Sequence, residues 1–354
     1  MRIHQVLAGA SGGDAITQIA FSTREVLRDH AESEVYAHHI DHSVEHVVRP
    51  LTTLPAASDP GDVILLRASI GDDEIFDALK DRIDRLWLCY HNISPPHLFA
   101  DLDPAFAALL ASGRDQLTQL RPRVELSWAD STFNADDLRS LGYSDVEVLS
   151  PMLNPHHLQK LEPEPGFALE IARRVPAELI LSVGQILPHK RPELIVAAHH
   201  LLTAHHLPGA TLVLVGRQRF PHYAAQIAAF GAALNLPRLW MADGITYHEL
   251  AELYRRADVF VTASSHEGFC VPILEAMAMS TPVVASTAGA IPETAGGAAM
   301  LIDEQSPEAY AEAIAYVLEG AVRSDLILAG RERAESLSLE RTGSAFQAFL
   351  EQRL

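Results

Sequence analysis

Two glutamates, Glu267 and Glu275, stand eight positions apart around Gly268-Phe-Cys-Val-Pro272, and this is the one stretch where the chain commits itself to a chemistry. An apolar run from Asp258 to Ala263 ends in a polar turn, and Gly268 then admits close backbone approach. Pro272 sits near the first position of a following helix, where its missing N–H costs nothing. Such a helix start suits an anion: the N–H groups of Gly268, Phe269, Cys270 and Val271, with the positive end of the helix dipole, fit a phosphate or a polarised hydroxyl. Glu275 is expected to project from the first turn of the same helix. Carboxylates are common, and two of them alone read equally well as solvated side chains. The frame around them carries the weight.

That frame resembles the nucleotide-sugar site of retaining GT-B glycosyltransferases, in particular glycosyltransferase family 4, whose mark is SxxEGFxxPxxEAMAxxxPVVA. Ser264, Glu267, Gly268, Phe269, Pro272, Glu275, Ala276, Met277, Ala278, Pro282, Val283, Val284 and Ala285 all fall in place. The likeness is densest from Ser182 to Asp303. It implies two Rossmann-like α/β domains whose parallel sheets face a central cleft, with a last helix, Leu339 to Leu354, crossing back onto the first. It also implies transfer of a hexose, mannose or glucose, from a GDP- or UDP-linked donor to an acceptor hydroxyl, with retention and without a metal or other cofactor.

The resemblance assigns residues as well. Glu275 would bond the ribose hydroxyls, a task suited to an acceptor-only carboxylate. Glu267 would face the sugar, and Gly268, Phe269, Cys270 and Val271 would offer N–H groups to sugar and phosphate. Ser182 to Arg191 is similar to the family's VGRxxxxKG segment, which holds the donor diphosphate. Gly184 and Lys190 match it, Gln185 stands where an arginine is usual, and Arg191 replaces a small residue. Arg191 and Arg217 are the candidates to supply the missing charge. Gly216 ends a buried strand, Leu212 to Val215, and Gly244 lies in a turn expected to face the base. Gly12 and Gly13 join the first strand to the first helix near the donor phosphates. His91 is expected to contact the donor sugar, with Glu267 and Lys190 completing the catalytic group, while Asn92 and Ser131, beside Asp130, are expected on the acceptor side.

The elements that must position these residues alternate along the chain. Strand-like runs at Ile3–Ala8, Glu34–His38, Val63–Leu66, Arg85–Tyr90, Val124–Ala129 and Val146–Leu149 are interleaved with helical periodicity at Ala15–Arg28, Ala105–Leu120 and Asp136–Leu141. Alternation of this kind predicts a parallel sheet with crossover helices. Prolines at 151, 155, 163, 165 and 176 mark a linker. The pattern then restarts with Glu178–Val183, Pro192–Leu202, Thr211–Val215, Tyr223–Leu234, Arg238–Met241 and Tyr247–Arg256. The domains expected are 1–160, 161–338 and a helix 339–354 returning to the first, which suits a chain of 354 residues.

A net charge of −19 argues against binding nucleic acid, whose backbone is held by basic surfaces. Arg114, Arg121 and Arg123, or Lys80, Arg82 and Arg85, could touch anionic lipid, but a solvated face is the expected reading, so at most peripheral membrane contact is foreseen. No apolar run approaches ~18 residues, and the amino terminus carries no leader pattern, so the expected location is the cytoplasm or the inner membrane face. Cys89 and Cys270 are expected as buried thiols. His38, His39, His42 and His46 fall in a probable loop, and no metal is expected there or at Asp101 and Asp103, which precede a helix. His199, His200, His205 and His206 are expected to decorate a helix and the turn after it. Gly9, Gly12 and Gly13 lack the dinucleotide spacing, which disfavours NAD. The expected partners are a nucleotide sugar and a saccharide, lipid-linked or small-molecule acceptor. The alternatives are a GT-B epimerase or hydrolase, and a non-catalytic nucleotide-sugar binding module.

Overall fold

The structure, a computed structural model, describes residues 1–54, 59–320 and 322–353. It divides into two compact units, one of Met1–Leu153 with Leu337–Leu354, the other of Asn154–Ser336. Each is a parallel sheet with helical crossovers, and in both the central strands are buried on both faces, as parallel sheets require.

In the first unit the strands are β1 (Ile3–Ala10), β2 (Val35–Ile40), β3 (Arg49–Pro50), β4 (Val63–Ala68), β5 (Arg85–Tyr90), β6 (Val124–Ala129) and β7 (Val146–Val148). The order across the sheet is β3-β2-β1-β4-β5-β6-β7, so the winding reverses between β1 and β4. The helices are α1 (Ala15–Arg28), α2 (Asp73–Leu79), α3 (Pro104–Leu120) and α4 (Thr132–Ser140). Their starts are written in side chains: Asp14, Asp72, Asp103 and Ser131 each accept a backbone N–H of the first turn. Capping by Ser131 explains why α4 begins at Thr132, ahead of the Asp136 that periodicity suggested.

The second unit holds α5 (Pro165–Arg174), β8 (Leu179–Val183), α6 (Pro192–His205), β9 (Thr211–Val215), α7 (Pro221–Ala233), β10 (Leu239–Ala242), α8 (Tyr247–Arg256), β11 (Val259–Thr262), α9 (Val271–Ala278), β12 (Val283–Ser286), α10 (Ile291–Ala295), β13 (Met300–Ile302), α11 (Pro307–Glu319) and α12 (Val322–Ser336). Its order is β10-β9-β8-β11-β12-β13, reversing between β8 and β11. The core lies between that sheet and α6, α7 and α11, with Ile195, Val196, Leu212, Val261, Tyr310 and Ile314 among its buried members.

The last helix, α13 (Leu339–Glu351), belongs to the first unit; Leu354, the end of the expected helix, lies outside the described residues. Phe346, Phe349 and Leu350 pack with Ile3, Trp87 and Trp128, and both phenylalanine rings meet Trp128 at centroid distances of 5.9 and 5.6 Å. Each buried side chain of this size is worth about 1.5–3 kcal/mol, which is ample to seat the helix.

Several expectations are corrected here. The proline-rich stretch is not a free linker. Asn154 to Glu164 is strapped to the second unit: Gln159 Nε2 donates to the Ala278 carbonyl, Arg255 reaches the Leu161 carbonyl, and His248 Nδ1 lies 3.1 Å from the Glu162 carbonyl. Pro165 opens α5, where its fixed φ is an asset. His38 and His39 sit on β2 rather than in a loop. The arginines of the expected solvated face are tied down individually: Arg114 makes a two-pronged bridge to Asp137, the exposed Arg121 donates to the Gly142 carbonyl, and Arg123 donates to the carbonyls of Leu79 and Asp84. Lys80, Arg82 and Arg85 each pair with a carboxylate, Asp77, Asp84 and Glu125 in turn. His199 is buried inside the second unit, bonded to the Ala210 carbonyl, with burial holding its pKa down at about 4. Among the described residues, no helix is long and apolar enough to cross a membrane.

Candidate functional site

In doubly wound sheets, ligands gather beyond the carboxyl ends of the strands where the winding reverses. In the second unit those strands are β8 and β11, and the loops leaving them carry Lys190 and Glu267. Lys190 Nζ lies 2.5 Å from Glu267 Oε1, and Ser264 Oγ donates to the same oxygen at 2.7 Å, itself 3.0 Å from Thr262 Oγ1. Burial disfavours both charges, and the pairing overcomes it: Lys190 is held above its usual pKa and Glu267 below the usual carboxylate range. Lys190 keeps about a quarter of its side chain in solvent, whereas Glu267 is nearly enclosed. An ammonium has three donors, and one is taken here.

The backbone around this pair tolerates little change. A Cβ on Gly216 would stand 1.9 Å from the Gly184 carbonyl oxygen, and on Gly289, with φ +59°, 2.4 Å from that of Glu267. Both glycines let two loops touch. Ala290 N–H donates to the Glu267 carbonyl and Thr294 Oγ1 to that of Phe269, so α10 holds the 267–269 turn from behind. Gly184 lies against the Lys190 stem, and a hollow bordered by Ser182, Gly184, Gln185, Lys190 and Thr262 adjoins it.

Helix α9 starts at Val271, with Cys270 as its N-cap in the left-handed region at φ 71°. A side-chain-bearing residue held there is a backbone cost that clusters at ligand sites. Burial, then the Glu267 charge, push the Cys270 thiol up, so it is an inert neutral group. Glu275 comes from the second turn of α9, not the first, and is buried. Tyr254 Oη donates to its Oε2 at 3.1 Å, and His157 Nε2 stands 3.7 Å from its Oε1. Burial raises the Glu275 pKa, against the opposing pull of His157 and Tyr254.

Neither candidate for the missing positive charge is placed alike. Arg191 adopts a left-handed conformation at the start of α6 and donates to Gln305 at 3.3 Å, while Arg217 and Gln185 are exposed. Gly244 has φ +68° in the exposed turn before α8, where Thr246 and Glu249 form a capping box.

The remaining candidates lie in the first unit. Gly12 and Gly13 join β1 to α1, with Gly12 N–H on Ser43 Oγ. His91, after β5, turns its ring inward: Nδ1 is 2.7 Å from Asp130 Oδ2 and Nε2 is 3.1 Å from Arg67 Nη1, with only 2 % of the side chain exposed. Burial disfavours the imidazolium and the Asp130 carboxylate favours it, and the Arg67 guanidinium on Nε2 decides for the neutral ring. A guanidinium can only donate, so the Arg67 contact requires a lone pair on Nε2 and fixes the proton on Nδ1. The ring nitrogens are therefore engaged within the protein rather than offered to a sugar. Arg67 is itself 2 % exposed and donates also to Gln5 Oε1 and Thr23 Oγ1. Cys89 completes a cluster of metal-ligating types with His91 and Asp130, but Arg67 Nη1 is 3.8 Å from its sulfur as well as on the ring, so a cation already holds those electron pairs. Asn92, at φ 76°, bonds Asn134, and Ser131 is fully buried with its hydroxyl spent on capping α4. Ser131 is thus a structural residue and not an acceptor contact.

Sequence reasoning missed Arg67, His157 and Tyr254. A lone arginine in a β run, Val63-Ile-Leu-Leu-Arg67-Ala68, is a signal that was available; His157 and Tyr254 carry none.

Residues 170–333 match the family described as glycosyl transferases group 1. That match takes in most of the second unit, 154–336, and that family is what this unit is similar to. Curated relatives include the D-inositol 3-phosphate glycosyltransferases of Streptosporangium roseum, 27 % identical over 231 residues, and of Geodermatophilus obscurus, 35 % identical over 179 residues. These alignments cover 62 % and 47 % of this chain and 52 % and 38 % of the relatives, so the chain spans about half or less of the length of the proteins it matches. Among solved structures, Anabaena HepE in complex with UDP and glucose is similar with a TM-score of 0.78 and 16 % identity, over 99 % of this chain and 100 % of that one. WaaG, a glycosyltransferase involved in lipopolysaccharide biosynthesis, is similar with a TM-score of 0.75 and 13 % identity, over 98 % and 99 %. At that identity the likeness speaks to the fold, which is GT-B.

Proposed function

We propose that the chain transfers a hexose from a nucleoside diphosphate sugar to an acceptor hydroxyl, with retention at the anomeric carbon and without a metal. The observation that carries this reading is the Lys190–Glu267 pair, set by adjacent loops at the winding reversal of the second unit, beside the N-terminus of α9. The leaving diphosphate develops negative charge as the glycosidic bond breaks. Lys190, with donors to spare, and the N-terminal N–H groups of α9 meet that charge without reorganising. The acceptor hydroxyl forms its bond on the face the diphosphate leaves, and its proton passes to a diphosphate oxygen, so no protein nucleophile is needed. Glu267 orients the sugar and Glu275 the ribose, and each is pinned by neighbours that leave little rotational freedom.

Complexes of HepE with UDP and with UDP-glucose support a uridine donor, and guanosine is the alternative. The acceptor is a polyol, saccharide or lipid-linked saccharide reached from the cytoplasm; the inositol phosphate glycosyltransferases support a phosphorylated polyol as the first to try. Incubation with UDP- and GDP-hexoses plus such acceptors, read by proton NMR of the anomeric signal, tests the proposal. It expects a product of unchanged anomeric configuration. Free sugar released at a rate no acceptor suppresses would make the protein a hydrolase, an altered sugar nucleotide an epimerase, and binding without turnover a binding module.

A further inference from the structure

The strap that precedes α5 brings one more residue to the carboxylate of Glu275. His157 Nδ1 lies 2.9 Å from the Asn154 carbonyl oxygen, which can only accept, so Nδ1 carries a proton and Nε2 is the nitrogen turned to Glu275. The separation from Nε2 to Glu275 Oε1, 3.7 Å, is too long for a direct hydrogen bond. A hydroxyl oxygen at about 2.8 Å from each atom spans that gap without strain. The other carboxylate oxygen is already bonded to Tyr254 Oη. Glu275 is buried while about a third of the His157 side chain is exposed, so the unsatisfied side of the carboxylate faces the imidazole. The His157 ring is held by Tyr247, whose own ring meets it edge-on at 5.5 Å and 88°. Tyr247 opens α8, directly after the turn that contains Gly244.

We propose that His157 is a specificity-determining residue of the donor site: with Glu275 it forms a two-sided clamp for one hydroxyl of the ribose diol, and it thereby selects ribonucleotides over deoxyribonucleotides. This rests on the reading of Glu275 as the ribose ligand. A carboxylate alone accepts from a hydroxyl and tolerates its displacement. The hydroxyl donates its one proton to Glu275 Oε1 and accepts from His157 Nε2–H, the ring being the imidazolium whose other N–H is on the Asn154 carbonyl, so a deoxy sugar leaves both partners unsatisfied, a situation that discriminates strongly. Tyr247 acts as a positioning residue, since its ring limits rotation of the imidazole. Neither residue belongs to the glutamate motif; both arrive from elements that flank it.

The test is calorimetric titration of the full chain with UDP, 2′-deoxy-UDP and 3′-deoxy-UDP, and with the guanosine series. The wild type is expected to favour the ribonucleotide over one deoxy analogue. In His157→Ala that preference shrinks by about three- to tenfold, the size of one hydrogen bond, while affinity for the same deoxy analogue stays unchanged. His157→Gln, which restores a polar group near the gap, recovers part of the preference. Equal weakening of ribo and deoxy ligands in His157→Ala would make His157 merely structural and overturn the inference, as would no change in either. A wild type that binds nucleoside diphosphates without preference for the hydroxyls overturns this inference alone. A wild type that binds none of them overturns the donor reading and this inference with it.

Discussion

The two units share one architecture, yet each treats the cation near its winding reversal differently. In the second unit Lys190 sits at the rim, paired with Glu267 and still partly in solvent, beside a hollow and a helix N-terminus. In the first, Arg67 rises from the interior of β4, wholly buried, and spends its donors on Gln5, Thr23 and His91. One cation is poised for a ligand; the other ties β1, α1, β4 and β5 together. The difference teaches that charge near a switch point is not itself a sign of binding. What matters is whether the donors are already spent.

This contrast can be broken by mutation. The largest effect is expected from Arg67→Ala, which strips the buried partner from the His91–Asp130 pair and should lower stability by about 3–5 kcal/mol in denaturant unfolding. An unfolding midpoint near that of the wild type would mean that Arg67 is not structural. Lys190→Ala should act chiefly on function: turnover falls by about 10²–10³-fold, as for loss of a preorganised charge donor, while Glu267, left buried without its cation, costs less stability than Arg67→Ala does because Ser264 still donates to it. Were its kcat intact, leaving-group stabilisation would have to come from elsewhere.

Unequal legibility of the two units has the same root. Glu267, Glu275 and Lys190 were readable because phosphate and sugar recognition draws on backbone shape, and shape needs glycine and proline at set intervals. Gly216 and Gly289 are such positions, each admitting a carbonyl where a side chain cannot go. The alternation of β runs and helices gave both sheets, since strands buried on two faces read as continuous apolar runs. The proline cluster does hold the boundary between the units, at 153/154, but proline signals a chain that cannot join a sheet, not one that is unattached; the segment after it is held by side-chain bonds from Gln159, Arg255 and His248. His91 stands at a strand end as expected, but the direction of its ring depends on a distant partner, Arg67, that no local pattern encodes, whereas Ser131 caps its own helix three residues on, at Asn134.

Smaller effects sharpen the picture. Gly289→Ala forces a side chain into a left-handed conformation against the Glu267 carbonyl, and should cost about 1–3 kcal/mol of stability together with donor affinity. Loss of stability with affinity retained would separate the turn from the site. The mildest change is in pH dependence. Glu275 is raised above the usual carboxylate range by burial, whereas Glu267 is lowered by Lys190. As pH falls, Glu275 therefore takes up its proton first, at a pH where Glu267 remains ionised. Folding disfavours ionised Glu275, so its protonation takes nothing from stability, but it removes an acceptor from the ribose. Donor affinity should decline on the acid side before thermal stability does, and Glu275→Gln should abolish that limb. An acid limb that persists unchanged in Glu275→Gln would assign it to another group.

The central claim is that the second unit holds a nucleoside diphosphate sugar through Lys190 and Glu275. Equilibrium titration of the wild type, Lys190→Ala and Glu275→Gln with UDP, GDP and their glucose and mannose conjugates tests it most directly. The account predicts that the wild type binds one base series selectively and that each variant weakens this binding by about tenfold or more. Wild-type protein that binds neither series, or variants that bind as the wild type does, would contradict it.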